Sequence, residues 1–502
     1  MASRLNHVIL IILDDVRSAH LFKLIDKGKL PHIAKLVNGG TYSRTCITSF
    51  PSVTFPCYSN ILLGAYSGYY PKAGSGIPAY HWLDRSDPPL SSKRPPKIHN
   101  YSTSRDIWKI GKHLGKNVKT IFEQGGEGNF LSSLNIIFRG SYFSPPSEFN
   151  SPDVFKTIGE AFENPTKFFD TNEAPKITVG YVPKTDSLMH GVGFDSEDYI
   201  NEIRICDEHL GKLIDKLNKL GYQDEVAIGI ISDHGNYKAE RMYDLEPFFE
   251  KHGLIPYNPK RGTGDFDAAI GGVGTFNFKG ETWHHHPTIK KLENYPVSGA
   301  AKNKINLFEI LWEIPEVEFL YYPDDKNKPN QGRINLLHKD LKSGKISEGH
   351  IEYEGFGKEL KTKYYYEDRD LFGYNTHQKA RKLIDGKMHT IDEWLDGTYN
   401  IDFPILIDQL PRYFKNPRSC DIMISTNGSI NFSYEHGETK DPHLYSHDIA
   451  LKRSMRVPFI IGGSPEIENK KIDYCKTTDM VPSLLGLLGI KPDETVVGMS
   501  LF

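Results

Sequence analysis

The chain has 502 residues, of which 38% are hydrophobic and 25% charged, as is ordinary for a soluble globular protein. Its net charge of −3 gives no basic footprint and argues against a nucleic-acid-binding protein. The five cysteines are widely spaced and form no Cys-x-x-Cys pair, so the sequence suggests neither a zinc ribbon nor a disulfide scaffold, and we expect free buried thiols. The sequence carries neither a signal peptide nor a membrane-spanning run, and we expect a cytoplasmic protein.

The first predicted element is a strand at residues 8–13, which is a continuous β-branched and leucine run. Such a run is typical of a strand buried on both faces. It ends abruptly in two acidic residues, Asp14 and Asp15. Helical periodicity follows over residues 18–37, with Pro31 near the start of a second helical piece.

The next predicted helix begins close to Thr54 and ends at Gly64. Pro56 suits a first helical turn, and a glycine suits the residue after a helix. We therefore expect Thr54 to lie at a helix N-terminus, where backbone N–H groups favour an anion.

Two further predicted strands, at 176–181 and 226–231, lead into residues that commonly bind metals. The first precedes Asp186 and His190, whose i, i+4 spacing puts both side chains on one face of a helical turn, where they could grip one ion. The second runs into Asp233 and His234. Between the two strands, residues 196–220 have the periodicity of an amphipathic helix, with Ser196 as its N-cap.

Strands alternating with helices predict an α/β fold, with a mostly parallel sheet flanked by helices on both faces. The last predicted elements are strands at 421–425 and 457–461 and a helix at 480–488. Between about 283 and 403 the sequence becomes charged, turn-rich and tyrosine-rich. We interpret this segment, 283–403, as an inserted α+β lobe that shapes the substrate cleft, and residues 1–282 and 404–502 as the catalytic core.

The candidate site consists of six residues of the types that bind metals and one residue with a hydroxyl group: Asp14, Asp186, His190, Asp233, His234, His447 and Thr54. Each one alone has an ordinary structural explanation, such as a helix cap or a surface side chain. Together, carboxylates and imidazoles suit zinc, and also manganese or iron. A bound metal would make the threonine hydroxyl a usable nucleophile. Two metals about 4 Å apart could clamp an in-line displacement at phosphorus.

These motifs, in this order, resemble the type I phosphodiesterase/nucleotide pyrophosphatase branch of the alkaline phosphatase superfamily. The resemblance rests on the strand ending at Asp14, the segment Phe50-Pro-Ser-Val-Thr-Phe-Pro56, Asp186-Ser-Leu-Met-His190 and Ser232-Asp-His-Gly235, and on the C-terminal segments near 477–485 and 497–501. It covers most of the chain and implies an alkaline-phosphatase-like core.

The resemblance also implies roles for individual residues. Asp186, His190 and His447 would bind one zinc ion. The residues Asp14, Asp233 and His234 would bind the other, next to Thr54. Thr54 would carry a covalent phosphoryl intermediate that water then hydrolyses, and Phe55 matches the residue that helps to stack a nucleobase.

Two histidine assignments stay open. His443 lies four residues before His447 and is the alternative last ligand, although the spacing from His447 to the strand at 457–461 fits related bacterial members. The run His284-His285-His286 is either a further metal-binding group or, as we favour, a polar loop near the mouth of the cleft.

The chain departs from the family pattern at two positions. Asp15 stands where a glycine usually follows the metal-binding aspartate, so it is either an extra ligand or part of a turn. The paired aspartates are also similar to those of sulfatases, but the Cys/Ser-x-Pro-x-Arg motif of sulfatases is missing around Thr54. Ala79 or Tyr80 stands where animal nucleotide pyrophosphatases have a phosphate-binding asparagine. Tyr80 is therefore a candidate substrate contact.

The sequence thus predicts an enzyme, a metal-dependent hydrolase of phosphodiester or pyrophosphate bonds that acts through Thr54 on a small-molecule phosphoric ester, with nucleotides among the candidates. A phosphotransferase or phosphomonoesterase of the same superfamily is the nearest alternative. A metal-stabilised binding module without turnover is the alternative from another class, and the intact nucleophile and ligand set argue against it.

Overall fold

A computed structural model describes residues 5–69, 72–102, 105–145, 150–299, 303–434 and 444–502, so the alternative ligand His443 lies outside the described residues. The helices span Ser18–Asp26, Pro31–Asn38, Thr54–Leu63, Ile110–His113, Ile121–Gln124, Ser151–Glu163, Lys184–Val192, Glu197–Lys219, Glu246–Lys251, Ile289–Glu293, Leu307–Leu311, Gln378–Arg381, Ile391–Thr398, Leu406–Phe414, Lys452–Met455 and Met480–Leu487.

A nine-stranded main sheet carries the buried apolar runs of the sequence. Its spatial order is Lys470–Ile472, Thr41–Ile47, Arg456–Gly462, Val226–Ile231, His7–Leu13, Ile177–Val182, Phe130–Ser133 and Tyr142–Ser144, with Cys475–Lys476 paired beside Thr41–Ile47. The strand Arg456–Gly462 runs antiparallel to both neighbours, and the other pairings are parallel. The predicted mostly parallel sheet is therefore confirmed.

Helices cover both faces of the main sheet, because its central strands are apolar on both sides. In the strand His7–Leu13, the side chains of Val8, Leu10 and Ile12 join one buried cluster, which includes residues of the helices Thr54–Leu63 and Met480–Leu487. The alternate side chains, from Ile9 to Leu13, join a second cluster with the helices Ser18–Asp26, Pro31–Asn38, Ser151–Glu163 and Glu197–Lys219. Helices thus bury both faces of the main sheet, which confirms the predicted α/β architecture.

A second, antiparallel sheet of eight strands lies outside this arrangement. Its order is Phe266–Ile270, Val273–Phe278, Ile422–Ser425, Phe319–Pro323, Gln331–Lys339, Ile346–Glu354, Lys361–Tyr366 and His389–Thr390. Four two-stranded pairs complete the described strands: His81–Asp84 with Lys97–Asn100, Arg241–Asp244 with Ile430–Ser433, Tyr295–Pro296 with Lys304–Ile305, and Tyr237–Lys238 with Tyr445–Ser446.

The second sheet extends beyond the bounds predicted for the inserted lobe, 283–403. The predicted strand at 421–425 forms as Ile422–Ser425, but it pairs with Val273–Phe278 and Phe319–Pro323 in the second sheet. Its short buried apolar run is compatible with either sheet, so the pattern could not give its partner. The division of the chain into core and lobe stays a prediction.

The longest helix, Glu197–Lys219, begins as the sequence predicts. The Ser196 hydroxyl accepts a hydrogen bond from the backbone N–H of Tyr199 at 3.2 Å. We expect Ser196→Ala to lower the free energy of unfolding by about 1 kcal/mol, since one backbone donor of the first turn loses its partner. Urea unfolding of both proteins measures the difference, and an unchanged midpoint would contradict this capping role.

All five cysteines are buried and free, as expected. None of the helices in the described parts of the chain combines the length and the apolar character needed to cross a lipid bilayer.

Candidate active site

Three adjacent parallel strands end at one edge of the main sheet and deliver most of the candidate residues. The strand His7–Leu13 pairs with Ile177–Val182 on one side and with Val226–Ile231 on the other. Asp14 follows the central strand directly, and the flanking strands lead to the Asp186 and Asp233 segments. Because the carboxyl ends of parallel strands meet at the same edge, residues distant in sequence come together there.

The first cluster consists of Asp14, Asp233 and His234, all nearly inaccessible to solvent. His234 Nε2 lies 3.4 Å from Asp14 Oδ1 and 3.7 Å from Asp233 Oδ2. Asp233 is held in place, because its Oδ1 accepts hydrogen bonds from the N–H groups of Asp15 and His234. Its Oδ2 therefore points with Asp14 Oδ1 toward the same imidazole nitrogen.

The second cluster consists of Asp186, His190 and His447. Asp186 Oδ1 lies 3.3 Å from His190 Nε2 and 3.8 Å from His447 Nε2, and the two Nε2 atoms are 3.2 Å apart. Asp186 and His190 share the helix Lys184–Val192, as their spacing predicts. Potential ligand atoms of Asp186, His234 and His447 also lie within 4.8 Å of one another, so the two clusters are contiguous.

The histidine tautomers suit metal binding. His190 Nδ1 faces the carbonyl oxygen of Tyr445 at 2.9 Å, and His447 Nδ1 faces that of Ser52 at 3.1 Å. His234 Nδ1 faces the carbonyl oxygen of its neighbour Gly235 at 3.2 Å. A carbonyl oxygen only accepts, so each Nδ1 carries a proton, and Nε2 is the nitrogen left to offer a lone pair to a metal ion.

The carboxylates also leave oxygens for a cation. Among the described residues, Asp14 Oδ1, Asp186 Oδ1 and Asp233 Oδ2 are buried and accept no hydrogen bond. A buried anionic oxygen without a donor costs free energy unless a cation or a proton neutralises it. The donor set and these three oxygens therefore fit divalent metal ions held by carboxylates and imidazoles.

The electrostatics of the metal-free clusters point the same way. Burial and the neighbouring carboxylate of Asp233 raise the pKa of Asp14 well above its usual range. Burial lowers the pKa of His190, but the facing Asp186 carboxylate outweighs it and raises that pKa to about 9. Burial also lowers the pKa of His234, but the carboxylates around it, chiefly Asp233, outweigh this effect and raise that pKa to about 9. The site thus concentrates negative charge that takes up protons when no metal is bound.

Thr54 is the first residue of the helix Thr54–Leu63, which ends before Gly64 in the left-handed conformation, so the predicted helix is confirmed. Val53, not Thr54, is the N-cap residue, and its side chain makes no capping hydrogen bond. Its Oγ1 lies 3.0 Å from His234 Nε2. The hydroxyl therefore lies beside a nitrogen of the candidate ligand His234 at a helix N-terminus, where an anionic group is favoured.

A cavity of about 340 Å³ opens onto Thr54 and both clusters. Phe55 and Tyr80, the two predicted substrate contacts, both line it. The Phe55 ring lies 5.0 Å from that of Tyr101, and the Tyr80 hydroxyl donates to the carbonyl oxygen of Ile270 at 3.2 Å. The sequence therefore locates one wall of the cavity correctly. The role of Phe55 and Tyr80 in substrate binding stays a prediction.

Sequence reasoning missed the other wall of the cavity. Ile270 lines it from Phe266–Ile270, an edge strand of the second sheet, and Met242, Asn431 and Phe432 line it from the strands Arg241–Asp244 and Ile430–Ser433. The positions of the last three depend on pairing between these two strands, which are nearly 190 residues apart and for which the sequence carries no local signal.

The run His284-His285-His286 does not join either cluster. His284 Nδ1 lies 2.9 Å from the carbonyl oxygen of Arg85, and His286 Nδ1 lies 2.6 Å from Asp421 Oδ1. These contacts give the histidines a structural role that joins distant segments, in keeping with the interpretation as a polar loop.

A phenol that the sequence did not single out supports the first cluster. The Tyr181 hydroxyl donates to Asp14 Oδ2, which leaves Oδ1 directed toward His234.

Removing such a contact behind a metal ligand typically weakens metal binding about 10- to 100-fold. We expect this loss for Tyr181→Phe in a zinc titration. Tyr58→Phe is the matched control, because the Tyr58 ring packs against Tyr181 but its hydroxyl donates to Asn135. Equal zinc affinity of the two variants would contradict the role of Tyr181.

Comparison with known proteins identifies the family. The family model described as type I phosphodiesterase/nucleotide pyrophosphatase matches residues 8–298, which is more than half of the chain. The chain belongs to this family. The predicted resemblance is therefore confirmed, and the matched region contains five of the six candidate metal ligands together with Thr54.

Curated relatives carry the same family names. The mouse ectonucleotide pyrophosphatase/phosphodiesterase family member 1 is 27% identical over 209 residues, which cover 41% of this chain and 22% of the mouse protein. An uncharacterized pyrophosphatase/phosphodiesterase of Schizosaccharomyces pombe is 27% identical over 277 residues, 52% of each chain. A venom phosphodiesterase of Macrovipera lebetinus is 23% identical over 232 residues, 45% of this chain and 26% of the venom protein. The matches thus span between about a fifth and a half of these relatives.

Solved structures share the fold along nearly the whole chain. Human ectonucleotide pyrophosphatase/phosphodiesterase 5 superposes with a TM-score of 0.58 at 16% identity, over 97% of this chain and 96% of that one. The murine counterpart, an inactive variant in complex with AMP, superposes with a TM-score of 0.57 at 15% identity over the same shares. At this identity the likeness establishes the alkaline-phosphatase-like fold.

Proposed function

We propose that the protein is a two-metal hydrolase of phosphoric diesters or pyrophosphates, in which Thr54 is the nucleophile. One observation carries the proposal: Thr54 Oγ1 lies 3.0 Å from His234 Nε2, at a helix N-terminus that opens into a cavity beside both metal-ligand clusters. Membership of a phosphodiesterase family supports the same reaction class.

The residues divide into ligands and reactant. Asp14, Asp233 and His234 would hold one divalent ion, and the cluster of Asp186, His190 and His447 would hold the other. The bound ions would neutralise phosphoryl oxygens and make the threonine hydroxyl more acidic. We propose zinc as the metal, because the two clusters mix carboxylates with three imidazoles.

The reaction proceeds in two displacements. Thr54 Oγ1 forms a bond to phosphorus as it loses its proton, and the bond between phosphorus and the leaving oxygen breaks, with that oxygen taking up a proton. Water then attacks the phosphorus of the phosphothreonine, the bond to Oγ1 breaks, and Thr54 regains a proton. In the first helical turn, the N–H groups of Thr54 and Phe55 have no intrahelical acceptor and can donate to the phosphoryl oxygens.

We further propose nucleoside monophosphate esters and dinucleotides as the first substrate class. The names of the relatives and the AMP bound to the murine neighbour support this choice, and so does the Phe55 ring on the cavity wall. Stacking of a base on an aromatic ring is worth about 1–3 kcal/mol. We therefore expect Phe55→Ala to raise KM for a nucleotide diester about tenfold, while KM for bis-p-nitrophenyl phosphate changes less. Equal effects on both substrates would contradict base stacking.

The test of the proposed function compares bis-p-nitrophenyl phosphate with p-nitrophenyl phosphate, with zinc added and with chelator. We expect faster turnover of the diester, and loss of both activities in chelator with recovery on adding zinc. Faster turnover of the monoester would identify a phosphomonoesterase. Product transfer to an added alcohol, in place of release to water, would identify a phosphotransferase. Full activity in metal-free protein, verified by elemental analysis, would contradict the two-metal reaction.

A further inference from the structure

Asp15, the residue after the metal-ligand candidate Asp14, has a conformation that is unfavourable for its type. Its φ is +57°, in the left-handed region where glycine is the best-suited residue. Three hydrogen bonds hold its backbone there. Its N–H donates to Asp233 Oδ1, and its carbonyl oxygen accepts from the Tyr199 hydroxyl at 2.8 Å and from Asn236 Nδ2 at 3.2 Å. The fold thus imposes this conformation on a residue that bears a charged side chain.

The Asp15 carboxylate is fully buried and faces the imidazole of His234. Its Oδ1 accepts a hydrogen bond from Asn236 Nδ2 at 2.8 Å and lies 3.7 Å from His234 Nδ1. That nitrogen is on the opposite side of the ring from Nε2, which approaches Asp14 and Asp233. Asp15 is therefore placed behind His234, and the geometry does not favour it as an extra ligand beside Nε2.

The second oxygen of this carboxylate has no hydrogen bond to offset its burial. Among the described residues, Asp15 Oδ2 is buried and accepts no hydrogen bond. A buried carboxylate oxygen without a hydrogen bond and a left-handed non-glycine residue both cost stability, and such costs concentrate at functional sites. His234 Nδ1 also faces the Gly235 carbonyl oxygen at 3.2 Å, and a carboxylate beside that contact adds negative charge that holds the ring and makes it a stronger ligand.

We propose that Asp15 is a positioning residue that acts on His234 from the Nδ1 side and strengthens the metal site formed by His234, Asp14 and Asp233. The inference rests on the proposed two-metal function. It assigns a role to a residue that touches neither the substrate nor the metal, and it predicts an effect confined to one of the two metal sites.

The test is a zinc titration of metal-free protein, with a competing chromophoric chelator to resolve two affinities. We expect Asp15→Asn, which keeps the size of the side chain, and Asp15→Gly, which suits the backbone, each to weaken one zinc site about tenfold or more. The affinity of the other site should stay within about threefold of the wild type. Thermal unfolding of metal-free Asp15→Gly should show a midpoint at or above the wild-type value, because both structural costs are removed.

The control is Asp207→Asn, which alters another buried carboxylate that belongs to neither metal-ligand cluster. Asp207 accepts hydrogen bonds from the N–H groups of His32 and Ile33, and we expect its variant to keep both zinc affinities. Wild-type zinc affinities in both Asp15 variants would overturn the proposal, as would equal weakening of both sites together with a lowered metal-free midpoint. A wild-type protein that binds no zinc would overturn the proposed function as well, and this result appears before any variant is measured.

Discussion

Replacing Thr54 with alanine is expected to lower kcat for diester hydrolysis on the order of 10³-fold or more while the protein keeps its fold and both metal sites. Thr54 follows the N-cap residue Val53, and alanine is a favourable residue in a first helical turn. The variant therefore removes the attacking oxygen and little else. Steady-state kinetics, circular dichroism and metal analysis of the same preparation measure the three quantities.

Thr54→Ser is the matched control for this experiment. It keeps a hydroxyl at the same position, 3.0 Å from His234 Nε2 in the wild type, and we expect its kcat to stay within about tenfold of the wild-type value. An alanine variant that turns over diesters at the wild-type rate would show that water, or another side chain, attacks the phosphorus. An inactive serine variant with intact metal sites would show that the position matters for packing rather than for its hydroxyl.

The second large effect concerns the stability of the metal-free protein between pH 7 and pH 9. The pKa values of His190 and His234 rise from the ordinary 6.5 to about 9, since Asp186 and Asp233 outweigh the effect of burial. A raised pKa means that the folded state holds protons that the unfolded chain has released. This stabilisation is complete below pH 6.5 and is lost as the pH rises through 9.

We therefore expect the unfolding free energy of metal-free protein to fall by on the order of 1 kcal/mol per pH unit for each histidine across this window. Burial also raises the pKa of Asp15 to about 7, and most of the stability linked to this carboxyl is lost below pH 7, before the window begins. Chemical denaturation of the metal-free protein at several pH values measures this fall in unfolding free energy. A metal-free protein that becomes more stable toward pH 9 would contradict this account of the clusters.

Saturating zinc is expected to abolish this fall in stability between pH 7 and pH 9. Metal binding needs deprotonated ligands, so affinity rises with pH where the free clusters hold protons. At zinc concentrations 100 to 1,000 times Kd, the added stability is about 3–4 kcal/mol. The gap between zinc-bound and metal-free midpoints should therefore widen from pH 7 to pH 9. A gap that narrows, or a midpoint unaffected by zinc, would show that these residues do not form metal sites.

Much of the fold and the contents of the site follow from local patterns. The run before Asp14 is apolar on every residue, and this pattern specifies a strand buried on both faces. Three such strands in a parallel sheet must end at one edge, which brings Asp14, Asp186 and Asp233 together without any knowledge of tertiary contacts. The i, i+4 spacing of Asp186 and His190 likewise predicts a shared helical face, and the helix confirms it.

The remainder depends on contacts that no local pattern encodes. The strand Ile422–Ser425 has the composition of a main-sheet strand but pairs in the second sheet, because partner choice is set by distant chain segments. The orientation of the Asp15 carboxylate toward Nδ1 of His234 depends on a left-handed turn held by Tyr199 and Asn236. The sequence alone leaves both roles of Asp15, an extra ligand or part of a turn, open.

The most direct test of the central claim is the stereochemical course at phosphorus. A diester made chiral by sulfur substitution is hydrolysed in ¹⁸O-labelled water, and the configuration of the product is determined. Attack by Thr54 followed by attack by water inverts the phosphorus twice, so we predict net retention. Net inversion would mean a single direct displacement by water, and it would contradict the assignment of Thr54 as the nucleophile.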